Sequence, residues 1–156
     1  MIQRTLAQVI ASEFERNKII VVLGARQVGK TTLFQKMCEK NRKYVSLDNA
    51  SDLLLAQEDP AQFFEKYTPP VLIDEVQKAP QLFSYIKEIV DKSDARGQFW
   101  LTGSHVFHLM KNVSESLAGR VAVLNLQGLS QSEKMKDIKF DAVFSKLSCF
   151  SLLNFI

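Results

Sequence analysis

Ile19-Ile20-Val21-Val22-Leu23-Gly24-Ala25-Arg26-Gln27-Val28-Gly29-Lys30-Thr31-Thr32-Leu33 is the stretch that decides the fold. Its first five residues are apolar without a break, and four of them are β-branched. A strand with one wet face would alternate polar and apolar positions. An unbroken run suits a strand covered on both faces, as in a parallel sheet between helices. Gly24 ends the run, a second glycine follows at 29, and Lys30 to Lys40 reads as a helix.

The same alternation continues outward. Upstream, Leu6, Val9, Ile10 and Phe14 recur at helical spacing, so the first ~15 residues form an amphipathic helix. Downstream, Tyr44 to Leu47 reads as a second strand, and Ala50 to Tyr67 as one or two helices broken near Pro60. Pro69 and Pro70 stop the chain before a third strand, Val71 to Ile73. Gln81 to Asp91 is a helix with Leu82, Ile86 and Val90 on one face. Gln98 to Leu101 and Val121 to Leu126 complete five strands. Strands and helices in this order predict an α/β three-layer sandwich with a mainly parallel five-stranded sheet and helices on both faces. There is no internal repeat or low-complexity segment.

Gly24 to Thr31 fits G-x-x-x-x-G-K-[ST] in full, after a strand and before a helix. The glycines let the backbone curl so that successive N–H groups form an anion nest, and the helix that follows adds the positive end of its dipole. Phosphate is the natural occupant. Gly24, Ala25, Arg26, Gln27, Val28, Gly29, Lys30, Thr31 and Thr32 are the candidate phosphate-binding residues. Lys30 reaches the β- and γ-phosphates and the Thr31 hydroxyl takes a place on Mg²⁺, while Thr32 is expected to pack or cap.

A second constellation follows the third strand. Val71-Leu72-Ile73-Asp74-Glu75 delivers two carboxylates at a strand's C-terminal edge, where ligands sit in parallel sheets. Asp74 is the candidate metal residue with Thr31, and Glu75 the general base that polarises a water. A glutamate beside the metal aspartate favours hydrolysis over phosphate transfer to another substrate. At the end of the fourth strand, Thr102 and Ser104 are both placed to touch the γ-phosphate or the water beside Glu75. Their residue types do not separate them sharply, and Thr102 is the first choice.

Composition narrows the partners. The 156 residues, 46% hydrophobic, suffice for one core, and 20 Lys+Arg against 17 Asp+Glu give only +3, short of a nucleic-acid footprint. No specific nucleic acid is expected to bind this segment. No apolar run reaches the ~20 residues of a membrane span, and the N-terminus lacks a signal-peptide core. Cys38 and Cys149 lie far apart, without metal-ligand spacing, so a soluble cytoplasmic protein with reduced thiols is expected. His105 and His108 stand three apart with no carboxylate or cysteine near them, and are not read as metal ligands. The eleven phenylalanines read as core.

Together, GARQVGKTTL, LIDEVQKAP, FWLTGSHVFHLM and SESLAGRVAVLNLQGLS resemble AAA-type (AAA+ superfamily) P-loop ATPases. More narrowly, they resemble a bacterial and archaeal family whose core is followed by a C-terminal domain of unknown function. The resemblance runs from Ile2 to Glu133. It implies ATP as ligand, which the lack of a guanine-reading N-K-x-D motif also favours. It implies strand order 5-1-4-3-2, with the fourth strand between the first and third, and a sensor role for Thr102 or Ser104. It further implies that Arg120 reaches the nucleotide of a neighbouring subunit in a homo-oligomer; the alternative for Arg120 is a salt bridge before the fifth strand. Beyond Glu133 no helical lid with a second sensor arginine is recognisable and the C-terminal domain is missing. Leu147 to Ile156 is nearly all apolar, as at a cut or altered end. The reading is therefore an ATPase core over 1–133 and an atypical tail over 134–156. The expected activity is Mg²⁺-dependent ATP binding and hydrolysis, with Glu75, Lys30, Thr102 and Arg120 as catalytic candidates. The alternative is an ATP-binding switch module, or a truncated fragment, without appreciable turnover.

Overall fold

A computed structural model describes residues 6–37, 41–104, 111, 113 and 115–128. Cys38, Cys149, His105, His108 and the tail from 134 lie outside the described residues, as do the expectations attached to them.

Helix α1 (Leu6–Phe14) leads into β1 (Ile19–Leu23), all five of whose residues are buried. The loop then feeds α2 (Lys30–Met37), followed by β2 (Lys43–Ser46). Next come α3 (Ala50–Glu58) and α4 (Pro60–Lys66). The break between these two helices is built from local chemistry. Asn49 caps α3 by accepting from the Ser51 and Asp52 amides, and Asp59 caps α4 by accepting from the Gln62 amide. Pro60 sits at the first position of α4, where its missing N–H costs nothing, and its ring prevents α3 from running on. The chain continues through β3 (Val71–Asp74), a 3₁₀ turn (Val76–Lys78), α5 (Leu82–Asp91), β4 (Phe99–Gly103) and β5 (Val121–Asn125).

The sheet runs β2-β3-β4-β1-β5, which is the expected 5-1-4-3-2 read from the other edge. All four pairings are parallel. Central strands carry side chains to both faces, and the period of two sorts them cleanly. Ile20, Val22, Leu72, Trp100 and Leu124 face α1 and α2, where Ile10, Leu33 and Phe34 meet them. Ile19, Val21, Val71, Ile73, Phe99 and Leu101 face the other way, onto α3, α4 and α5 through Ala56, Phe63, Phe64, Phe83 and Ile86. Phe34 stacks on Trp100 at 4.7 Å between ring centroids, tying the helix after the loop to the middle of the sheet.

Several strand boundaries differ from expectation; β4 opens at Phe99 and β5 closes at Asn125, each one residue inside the expected end. Strand β2 begins at Lys43 and stops at Ser46; it is an edge strand with exposed Lys43 and Tyr44, so apolarity alone marks it poorly. Strand β3 includes Asp74, and β4 extends to Gly103, so that Thr102 lies inside the sheet beside Val22. Among the described residues, no helix is long and apolar enough to cross a membrane.

Candidate phosphate and metal site

The loop after β1 holds its shape because two glycines occupy positions closed to other residues. Gly24 has φ +151°, and a Cβ there would lie 2.2 Å from the carbonyl oxygen of Leu126, whose amide in turn donates to the Leu23 carbonyl at 2.7 Å. Gly29 has φ +91°, outside the range L side chains readily adopt. Gln27 is also left-handed, at φ 64°. Arg26 and Gln27 are exposed, and helix α2 opens with Leu33 N–H on the Gly29 carbonyl at 2.9 Å.

Lys30 is 5% exposed, so it is not a solvated surface lysine. Its ammonium donates to the Gly24 and Ala25 carbonyls at 2.9 and 2.8 Å, which suspends the charge inside the curl of the loop. Thr31, one position on, donates from Oγ1 to the Asp74 carboxylate, 2.9 Å from each of its oxygens. Thr32 is exposed at the start of α2, so of the two expected roles, packing and capping, packing is excluded.

Register brings the remaining groups together. Strand β3 aligns Ile73 with Leu101, so the next residues, Asp74 and Thr102, are side by side. Thr102 is fully buried and its hydroxyl donates to Asp74 Oδ1, while accepting from the Glu75 amide at 3.3 Å. Ser104, beyond the strand, donates instead to Glu75 Oε2 at 2.8 Å. The two hydroxyls singled out by the sequence thus divide the work. Thr102 anchors Asp74 and the Glu75 backbone, and Ser104 holds the Glu75 side chain.

Glu75 is left-handed, with φ 56° and ψ 42°. For a residue with a Cβ this costs about 1–2 kcal/mol, tolerated where the surroundings over-determine the conformation. Burial works to raise its carboxyl pKa. Hydrogen bonds from Gln77 and Ser104 and the charge of Lys30 outweigh it, and the carboxyl ends below its ordinary value.

Two neighbours carry no signal that the sequence alone could supply. Gln77 Nε2 donates to Glu75 Oε2; it follows the acidic pair by two residues, but no periodicity marks it. Tyr44 lies across from Asp74, hydroxyl to Oδ2 at 3.5 Å, because β2 is paired with β3. Burial and the Asp74 charge both push its phenol pKa up.

Arg120 does not join this cluster. It precedes β5, whose first residue pairs with the first residue of β1, a strand's length of roughly 13 Å from the loop. Its guanidinium instead forms a two-pronged pair with Asp91 at the end of α5, Nε to Oδ1 at 2.6 Å and Nη2 to Oδ2 at 3.1 Å. The salt bridge before the fifth strand is therefore the role the described residues give it.

With loop, lysine, threonine and paired carboxylates in one place, similarity to known proteins becomes informative. Residues 16–135 match the family described as AAA domain. The chain belongs to this AAA domain family. It is 30% identical, over 129 residues, to the uncharacterized proteins Rv2008c of Mycobacterium tuberculosis and Mb2031c of Mycobacterium bovis. That similarity covers 82% of this chain and 29% of each relative, so the chain spans less than a third of their length. The Walker-type ATPase PABY2304 of Pyrococcus abyssi shares the fold, with a TM-score of 0.56 and 15% sequence identity over 85% of this chain and 55% of that one. This AAA domain is thus a P-loop module of the ATPase type.

The donor set also fits Mg²⁺. Thr31 Oγ1 and the Asp74 carboxylate, 2.9 Å apart, are hard oxygen ligands. Magnesium commonly binds through one or two protein oxygens and completes its shell with phosphate and water.

Proposed function

We propose that this AAA domain binds ATP with Mg²⁺ and hydrolyses it to ADP and phosphate. The observation that carries the proposal is the hydrogen-bonded chain from the Thr31 hydroxyl through Asp74 and Thr102 to the backbone amide of Glu75, which sets the candidate metal ligands and the candidate base side by side. Loop amides and Lys30 bind and orient the phosphates. Thr31 and Asp74 would hold the magnesium, which when bound supplies positive charge against the β- and γ-phosphates. Glu75 takes a proton from water as the water oxygen bonds to the γ-phosphorus, and the β,γ-bridging oxygen departs with its bonding pair on ADP. Thr102 keeps Asp74 and the Glu75 backbone in register, and Arg26, Gln27, Val28 and Thr32 lie along the phosphate loop.

The reading extends to a homo-oligomer in which Arg120 leaves Asp91 and reaches the nucleotide of a neighbouring copy, and to action in the cytoplasm. Support for the first is that Arg120 is too far along the sheet to serve its own loop, and for the second the modest charge and widely spaced cysteines.

Steady-state phosphate release by the full chain with Mg²⁺ and ATP tests the proposal. We expect release that falls at least about a hundredfold in Glu75→Gln while nucleotide binding persists, in line with the contribution of a positioned base. Release that is absent, or identical in Glu75→Gln, would replace hydrolysis with the reading of an ATP-binding switch.

A further inference from the structure

Glu75 is held at more points than a helix cap needs. Its backbone sits in the left-handed region at φ 56°, with the amide donated to Thr102 Oγ1. Its side chain receives two donors on the same oxygen, Oε2: the Gln77 side-chain amide from the following 3₁₀ turn and the Ser104 hydroxyl from the end of β4. These donors belong to different elements, so the carboxylate is triangulated between them. Both are neutral, and they orient the group without adding a charge beside it. A carboxylate oxygen accepts about two hydrogen bonds, so these donors fill Oε2. Even with the Ser104 backbone amide also bonded to the carboxylate, Oε1 keeps the capacity for a water.

We propose that Gln77, together with Ser104, is a positioning residue for hydrolysis: the pair occupies Oε2 of Glu75 and so assigns Oε1 to the proton of the attacking water. The inference rests on Glu75 acting as general base. A freely rotating carboxylate would spread its two oxygens over many orientations, and the in-line attack needs one of them. The turn Val76–Lys78 fixes the Gln77 side chain two residues from the group it orients. This makes the glutamine a local clamp on the carboxylate.

The test uses the full chain with Mg-ATP. Gln77→Met keeps the length of the side chain and removes the donor. Ser104→Ala removes the second donor, and Ser104→Thr keeps a hydroxyl. We expect kcat to fall about tenfold to a hundredfold in Gln77→Met and Ser104→Ala, with KM and nucleotide Kd within about twofold, and Ser104→Thr to recover most of the loss. In a Glu75→Gln background, neither change should lower the rate further. A Gln77→Met protein with unchanged kcat, or with the loss wholly in KM, overturns the inference while leaving Glu75 as base. So does a loss that adds in full to that of Glu75→Gln. Should Gln77→Met fail to fold, Ser104→Ala and Ser104→Thr test the clamp from its other side: equal kcat in the two overturns it, and loss in the first with recovery in the second supports it. Wild-type protein without Glu75-dependent release removes the hydrolysis reading, and this inference with it.

Discussion

Two cations are buried to nearly the same degree at opposite ends of the sheet, and they are held in different ways. Lys30, 5% exposed, stands beyond the carboxyl end of β1 and bonds to carbonyls of its own loop. Arg42, 7% exposed, stands just before β2, at the amino end of the strands. Its guanidinium lies 4.1 Å from the Trp100 ring centroid and 5.7 Å from that of Phe14, with Nη1 on the Gly97 carbonyl at 2.9 Å. A lysine is a compact charge on a flexible stem whose carbonyl partners can be exchanged for phosphate oxygens by rotation of a few bonds. An arginine plane stacked on indole cannot move without uncovering the ring. Equal burial therefore conceals one cation on a flexible stem and one that belongs to the core.

Lys30→Ala should have the largest effect, because it removes the charge on the flexible stem outright. Losing a charged donor to the phosphates should weaken Mg²⁺–ATP-analogue binding on the order of 100-fold, about 3 kcal/mol, measured by calorimetric titration, while the melting temperature stays close to wild type. Retained affinity would mean that loop amides alone hold the phosphates, and the contrast between the two cations would collapse. Arg42→Ala should do the reverse. Losing the buried cation–π contact and its packing should lower unfolding stability by about 2 kcal/mol in urea titration, with nucleotide affinity within about twofold. Because Trp100 is the only tryptophan of the chain, its fluorescence follows both the unfolding and the loss of the stacked arginine. A weaker but more diagnostic effect is expected from Thr102→Val, an isosteric change that leaves the Glu75 amide and Asp74 Oδ1 without their shared partner. About 1–2 kcal/mol of stability should go, and turnover should fall with it. Lost turnover at unchanged stability would instead place Thr102 against the nucleotide.

Much of this is legible from residue order. The apolar run Ile19–Leu23 ahead of Gly24 suits a covered strand, and Leu72-Ile73-Asp74 repeats the logic, so both ends of the site declare themselves. Pro60 marks its helix break for the same local reason. What stays hidden depends on which strands are neighbours. That Thr102 meets Asp74 while Ser104 meets Glu75 follows from the register of β3 on β4, which no local pattern encodes. Tyr44 comes near Asp74 only because β2 pairs with β3, and Gln77 matters only because a left-handed Glu75 turns back toward it. Arg120 shows the same limit: its partner Asp91 is remote in sequence and close only after α5 packs.

That last pair offers the smallest effect and a clean sign. Asp91 has its carboxyl pKa lowered, first by the hydrogen bond from Arg120, with desolvation opposing it. A carboxyl whose folded-state value is depressed stabilises the fold above its unfolded value of about 3.9 and loses that contribution as pH falls through the folded value. The stability difference between wild type and Asp91→Asn should therefore be constant from neutral pH to about pH 5 and close below it. The pair is open to solvent, so the difference should be near the limit of chemical denaturation and shrink further in concentrated salt. Turnover at rising protein concentration then separates the two roles of Arg120. If Arg120 is wanted by a neighbouring copy, freeing it in Asp91→Asn raises the concentration-dependent rate while Arg120→Ala abolishes it. If Arg120 is only a brace between α5 and β5, both variants change stability slightly and leave the rate per chain independent of concentration.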